Sequence, residues 1–80
     1  MNAKDRNLIK MGNNIKKIRK KENLSQEELA FKAGLHRTYI GSVERGERNI
    51  TILNLIKISE SLRADLTLLL DLNEKDDKDE

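Results

Sequence analysis

The 80-residue sequence contains no cysteine, no proline and no tryptophan, and it has one tyrosine and one phenylalanine. Without cysteine the chain forms no disulfide and offers no thiolate to a metal, which favours an intracellular location. The longest unbroken apolar run, residues 68–70, is far shorter than the roughly 20 residues of a membrane-spanning helix. The charged N-terminus also lacks the apolar stretch of a secretory signal. We therefore expect a soluble cytoplasmic protein.

The net charge of +2 is unevenly distributed along the chain. Residues 73–80 carry five acidic side chains and two lysines, whereas residues 1–72 carry 14 basic and 9 acidic ones. A basic body with an acidic tail indicates a polyanionic partner. A surface charged for solubility alone has the same composition, so charge does not identify the partner.

Apolar residues recur at helical spacing without strand-like alternation, which predicts an all-α chain with five helices. Asn23 closes the first helix, and Ser25 and Glu28 form a capping box at the start of the second. Gly34 ends the second helix in a left-handed turn. The residues predicted to face the core are Ile15, Ile18, Leu29, Ala30, Ala33, Ile40, Val43, Ile52, Leu55, Ile56, Ser59 and Leu62.

The remaining boundaries follow from caps and glycines. The third helix runs from about His36 to Arg45, Thr51 caps the fourth, and Asp65 caps a fifth that extends to about Leu72. The predicted organisation is a flexible N-terminal arm over residues 1–7, one helical domain over residues 8–72, and a disordered acidic tail over residues 73–80.

The second and third helices are separated by only Gly34 and Leu35. This connection is too short for an antiparallel hairpin of long helices, but it suits the crossed pair of a helix-turn-helix motif. In that motif the outer face of the second helix enters the major groove of DNA. Arg37 can hold O6 and N7 of a guanine, and Thr38 can meet a thymine methyl or a base edge. The predicted outer face consists of Arg37, Thr38, Gly41, Ser42 and Arg45.

The segment SQEELAFKAGLHRTYIGSVERGERNITILNLIKISESL, residues 25–62, resembles the phage-repressor-like (Xre/Cro) helix-turn-helix superfamily. Within it, HRTYIGSVERGERNIT is similar to the controller proteins of bacterial restriction–modification systems. The resemblance implies a dimeric, sequence-specific transcription regulator that binds an inverted-repeat operator in double-stranded DNA in the bacterial cytoplasm, associated with the nucleoid. It implies activation and repression of its own gene and the endonuclease gene, contact with RNA polymerase, no cofactor and no enzymatic activity.

The resemblance also implies roles for individual residues. An internal ion pair joins Arg19 to Glu44 and ties the first helix to the third. His36 occupies the cap of the third helix, where the family usually has serine or threonine. Together with the predicted outer face, the resemblance gives Arg37, Thr38, Ser42 and Arg48 as base-reading residues. The expected phosphate contacts are Gln26, His36, Tyr39, Arg45 and Asn49.

Three leucines near the C-terminal end, Leu53, Leu68 and Leu72, fall on faces that the core does not need. Exposed apolar side chains in so small a protein usually mark an interface, so we expect a homodimer through these residues. The alternative is that the three leucines complete the core against the first helix.

Other functions find little support in the sequence. His36 is the only histidine, so neither a catalytic dyad nor a metal cluster forms around it. Residues 41–46 have the glycine spacing of a phosphate-binding loop, but Glu47 and Arg48 stand where lysine and serine or threonine are required. Phe31 is expected at the edge of the core. Two alternatives stay open: a phage-type repressor, and an antitoxin that autoregulates through the same motif.

Overall fold

The computed structural model describes residues 5–73, which form five α-helices and no strand within that range. The predicted all-α, five-helix fold is confirmed. No helix in the described range is long and apolar enough to cross a membrane. The elements are α1 (Arg6–Lys21), α2 (Gln26–Ala33), α3 (Arg37–Glu44), α4 (Ile52–Leu62) and α5 (Leu66–Leu69).

Helix α1 begins earlier than the sequence predicts. The Asp5 side chain caps it by accepting a hydrogen bond from the Asn7 backbone N–H at 2.8 Å. Residues 6 and 7 are therefore helical and do not belong to the arm predicted over residues 1–7, of which residues 1–4 lie outside the described range. Of the tail predicted over residues 73–80, only residue 73 is described.

The capping predictions for α2 and α3 agree with the structure. The Glu28 backbone N–H donates to Ser25 Oγ at 2.9 Å, and the Ser25 backbone N–H donates to Glu28 Oε1 at 2.8 Å. Gly34 ends α2 with φ of 70°, a left-handed conformation that favours glycine. His36 caps α3, because its Nδ1 accepts from the Thr38 backbone N–H at 3.2 Å.

Helix α5 ends at Leu69 and is shorter than the predicted run to about Leu72. Its N-cap residue, Asp65, makes no side-chain capping hydrogen bond. The segment after α5 packs on α1, where Asn14 Nδ2 donates to the carbonyls of Leu69 at 3.0 Å and Asp71 at 2.8 Å. Because α1 satisfies these carbonyls, residues 70–73 are held on α1 without further helical turns.

The core lies between the helices and contains most of the predicted residues. In α4 the prediction is partly wrong: Ile52 is 57% exposed and Ile56 is half-buried, whereas Ile58 is fully buried. The buried stripe of α4 follows helical spacing from Leu55 onward and leaves the first turn of the helix uncovered. The buried apolar residues are Ile15, Leu29, Ala30, Ala33, Ile40, Val43, Leu55, Ile58, Leu62 and Leu69.

Two glycines set the close approach of α1 to the end of α3. A Cβ at Gly12 would collide with the backbone carbonyls of Val43 and Glu44, so α1 can lie directly on the last turn of α3 only with glycine there. Gly46 follows α3 with φ of 76°, and a Cβ on it would stand 2.7 Å from Ile9 Cγ1. These contacts fix the position of Glu44 relative to α1.

Candidate nucleic-acid interface

Arg19 of α1 and Glu44 of α3 form a buried ion pair. Arg19 Nε donates to Glu44 Oε2 at 2.6 Å and Nη2 donates to Oε1 at 3.0 Å, and the two side chains are 9% and 2% exposed. Arg19 Nη1 donates to the Leu24 carbonyl at 2.8 Å, and Gln26 Nε2 donates to Glu44 Oε1 at 2.9 Å. The network joins α1, α2 and α3, and no buried side-chain polar atom within residues 5–73 lacks a partner.

Three residues connect α2 to α3, and the two helices pack against each other with α3 also resting on α1. Arg37 and Thr38 occupy the first turn of α3, and both are exposed. The Arg37 guanidinium lies near a carboxylate of α2, with Nη1 3.7 Å from Glu27 Oε1. Both predicted base-reading residues of the first turn are therefore accessible from outside the domain.

The middle of α3 differs from the predicted outer face. Gly41 is buried, because the side chains of Arg45 and Gln26 lie over it, and a Cβ there would be 3.2 Å from Arg45 Nη1 and 3.4 Å from Gln26 Oε1. Ser42 is half-buried and donates its hydroxyl to the Tyr39 carbonyl at 2.8 Å. Its oxygen lone pairs are left to accept hydrogen bonds.

Tyr39, Arg48 and Asn54 form a second cluster at the edge of α3. The Arg48 guanidinium carbon lies 5.2 Å from the centroid of the Tyr39 ring, within the range of a cation–π contact. Asn54 Nδ2 donates to the Tyr39 hydroxyl at 3.1 Å. The cluster holds Arg48, which follows α3, beside the same helix as Arg37. The position of Asn54 in this cluster has no signal in the sequence spacing.

Gln26 and His36, both predicted to contact phosphate, also make hydrogen bonds within the domain. The Gln26 amide nitrogen is bound to Glu44, and Gln26 is half-buried. His36 uses Nδ1 as the cap of α3, so the N–H of its neutral ring is on Nε2. Because His36 is exposed, this N–H can donate to an external acceptor.

The turn after α3 presents charged and polar side chains. Arg45 Nε lies 3.1 Å from Glu47 Oε2, and the hydrogen bond that Arg45 donates to Glu47, together with the negative charge of that carboxylate, raises the pKa of Arg45. Arg45 therefore stays cationic while part of its charge is compensated locally. Arg48 and Asn49 are exposed in the same turn.

The leucines predicted at the dimer interface remain largely outside the core. Leu53 is 68% exposed, Leu68 is 53% exposed and Leu72 is half-buried. Leu69, which is fully buried, is the leucine that completes the core at this end of the domain. Within the described range, Leu70 is also exposed at 39%.

Phe31 lies outside the core. It is 87% exposed on α2, so its expected place at the edge of the core is wrong. Leu29, Ala30 and Ala33 already occupy the buried face of this eight-residue helix, and residue 31 points away from it. Phe31, with Leu24, Glu27 and other residues, lines an open hollow on the surface of α2.

Helices α2 and α3 pack together across a three-residue connection, and an exposed arginine and threonine open α3, which is the arrangement of a helix-turn-helix domain. Residues 15–69 match the family model described as helix-turn-helix. The control protein C.SmaI of Serratia marcescens is 50% identical over 60 residues, which make up 75% of this chain and 71% of that protein. The chain belongs to the helix-turn-helix family, and this membership makes it a DNA-binding transcription regulator rather than an enzyme.

Two solved structures show the same fold at appreciable identity. The restriction–modification controller protein C.AhdI of Aeromonas hydrophila superposes with a TM-score of 0.76 at 42% identity, covering 78% of this chain and 94% of that one. The biofilm regulator SinR, solved in complex with DNA, superposes with a TM-score of 0.73 at 40% identity, covering 76% and 98%.

Proposed function

We propose that the protein is the controller of a restriction–modification system, which binds an inverted-repeat operator as a homodimer. It regulates its own gene and the endonuclease gene in the bacterial cytoplasm. The observation that carries the proposal is the exposed first turn of α3, which contains Arg37 and Thr38, together with Arg48, which lies over the ring of Tyr39 on the same helix. The similarity to named controller proteins supports this function over other helix-turn-helix regulators.

In this proposal α3 is the recognition helix. Arg37 donates two N–H groups to a guanine, Thr38 contacts a neighbouring base edge, and Ser42 accepts from a base through its free lone pairs. Arg48 approaches a further base edge from the turn after α3. The residues that fix the register on the sugar–phosphate backbone are Gln26, His36, Tyr39, Arg45 and Asn49.

The proposed homodimer forms through α4 and α5. Leu53 and Leu68 are more than half exposed, which is unfavourable for leucine in an isolated domain of this size. A two-fold axis at these residues pairs two recognition helices, and two half-sites one DNA turn apart match such a pair. Linking the half-sites raises effective concentration, so operator occupancy rises steeply with protein level.

Such steepness suits a regulator that first activates and then represses. At low concentration one dimer occupies a distal site and contacts RNA polymerase, and at higher concentration a second dimer fills the promoter-proximal site. A phage-type repressor, the alternative that the sequence leaves open, is the competing function. The two functions predict different concentration dependence, because a pure repressor lowers transcription at every concentration.

The test is transcription in vitro from the DNA upstream of the protein's own gene, over a series of protein concentrations. We expect transcript to rise and then fall. A monotonic fall in transcript would mean that the protein acts as a repressor and not as a controller. A Leu68→Asp variant, checked by sedimentation equilibrium, should be monomeric, still helical and inactive on this template. If this variant stays dimeric and regulates normally, the interface lies elsewhere.

A further inference from the structure

A carboxylate stands beside the side chain that we propose reads a base. Glu27 Oε1 is 3.7 Å from Arg37 Nη1, and the two side chains are 75% and 65% exposed. Exposed ion pairs at this separation add little to folding stability. A negative charge at the edge that faces a polyanion would also oppose DNA binding. Its presence beside Arg37 therefore calls for a functional explanation.

The neighbouring acidic residue, Glu28, is not available to contact Arg37. Glu28 follows directly in the first turn of α2, but its carboxylate accepts from the Ser25 backbone N–H at 2.8 Å and is held in the capping box. Glu27 makes no capping hydrogen bond; its charge favours the N-terminal end of α2, and its side chain extends across the turn to the first residue of α3. The Glu27–Arg37 contact therefore links the start of α2 to the start of the recognition helix.

We propose that Glu27 determines specificity by restraining Arg37. The guanidinium has five N–H donors, so Arg37 can give two to a guanine and still keep Glu27 at its side. A phosphate contact is different, because it brings the Glu27 carboxylate close to another anion. It also depends on the positive charge of Arg37, which Glu27 already compensates. Glu27 thus weakens binding to unrelated DNA more than binding to the operator. This inference rests on the proposed base-reading role of Arg37.

The Glu27→Gln substitution tests the restraint, because it removes the charge and keeps the shape. A plot of log affinity against log salt concentration has a negative slope, and each phosphate contact steepens it by about 0.9. If the variant frees Arg37 to bind one phosphate, that slope steepens by about one on unrelated DNA. Affinity for unrelated DNA then rises about three- to tenfold near 0.1 M salt. Operator affinity should change less than about twofold, so discrimination falls about three- to tenfold.

The measurement is fluorescence anisotropy with two duplexes of equal length. One is selected by the wild-type protein from a random pool, and the other is an unrelated sequence. Glu60→Gln is the matched control, because Glu60 is exposed on α4 and has no salt bridge within residues 5–73. It removes the same charge away from Arg37 and should leave discrimination unchanged. Thermal unfolding confirms that each variant is folded.

The double variant Arg37→Ala/Glu27→Gln separates restraint from simple repulsion. With Arg37 absent, the Glu27 substitution should have no more effect than the Glu60 control. A persisting effect would mean that the carboxylate repels phosphates directly, which overturns the restraint. An unchanged discrimination in the Glu27→Gln single variant also overturns it. If Arg37→Ala alone weakens both duplexes equally, base reading itself fails and the inference fails with it.

Discussion

Two Arg–Glu pairs within residues 5–73, Arg19–Glu44 and Arg37–Glu27, each join two helices, and they differ in separation and exposure. Arg19 and Glu44 meet at 2.6 Å with side chains 9% and 2% exposed. Arg37 and Glu27 meet at 3.7 Å with side chains 65% and 75% exposed. The first pair lies between α1 and α3 inside the domain, and the second crosses the α2–α3 turn at the edge that we propose faces DNA.

The difference shows how one kind of ion pair serves two tasks. The inner pair is surrounded by low-dielectric protein and fully hydrogen-bonded, so neither partner can be removed without leaving a buried charge. The outer pair is screened by water and salt, so its geometry can change when a ligand arrives. We therefore expect folding to depend on the inner pair, and we propose that DNA selectivity depends on the outer one.

The largest effect is expected from breaking the inner pair. Glu44→Ala leaves the Arg19 guanidinium buried without its carboxylate and removes the acceptor of Gln26. We expect a loss of about 3–5 kcal/mol in the free energy of unfolding, measured by urea denaturation followed by circular dichroism. Glu60→Ala, at an exposed position, is the control. Equal stability of the two variants would mean that Glu44 is solvated in solution.

A smaller loss is expected where α1 touches the end of α3. Gly12→Ala places a methyl group against the carbonyls of Val43 and Glu44, so the helices must separate and the inner pair must stretch. Overpacking of this kind costs about 1–3 kcal/mol. The neighbouring Asn13→Ala, on the exposed face of α1, should be neutral or slightly stabilising because alanine favours helix. Both variants are measured by urea denaturation. A neutral Gly12→Ala would refute the close approach of α1 to the end of α3.

At the outer pair the expected loss appears in binding and not in folding. Arg37→Ala should weaken operator binding by about 1–3 kcal/mol and binding to unrelated DNA much less. Its unfolding midpoint should stay close to that of wild type, because the side chain is exposed. Lys32→Ala, which removes an exposed cation from α2, is the matched control for charge. The same loss on both DNA sequences would contradict base reading.

The sequence predicts the helices well because their ends carry local signals. Ser25, Gly34 and Thr51 each set a helix boundary through contacts within a few residues, and all three act as predicted. The exposure of a side chain depends on the packing of distant elements, so it is harder to predict from the sequence. Phe31 is a large apolar residue and is therefore expected in the core. The buried face of the short helix α2 is instead filled by smaller residues.

The same limit applies to the candidate site. The resemblance indicates that Arg37 faces outward, but it contains no information on the Glu27 carboxylate beside it, because that contact crosses the turn between two helices. Gly41 has the spacing of an outward position on α3 and is nevertheless buried under Arg45 and Gln26. Periodicity gives the direction of a residue from its own helix, whereas side chains of other elements decide whether it is covered.

The smallest effect is the coupling between Arg37 and Glu27 in folding. A double-mutant cycle with Arg37→Ala and Glu27→Ala should give a coupling of at most about 1 kcal/mol in the free energy of unfolding. Because the Debye length shortens to about 3 Å in 1 M salt, the coupling should fall towards zero when the cycle is repeated there. A cycle on Arg19 and Glu44 should keep its coupling under the same salt, since water and ions do not reach that pair. If the outer pair instead showed a large, salt-independent coupling, its side chains would be buried in solution and Arg37 would not be available to read DNA.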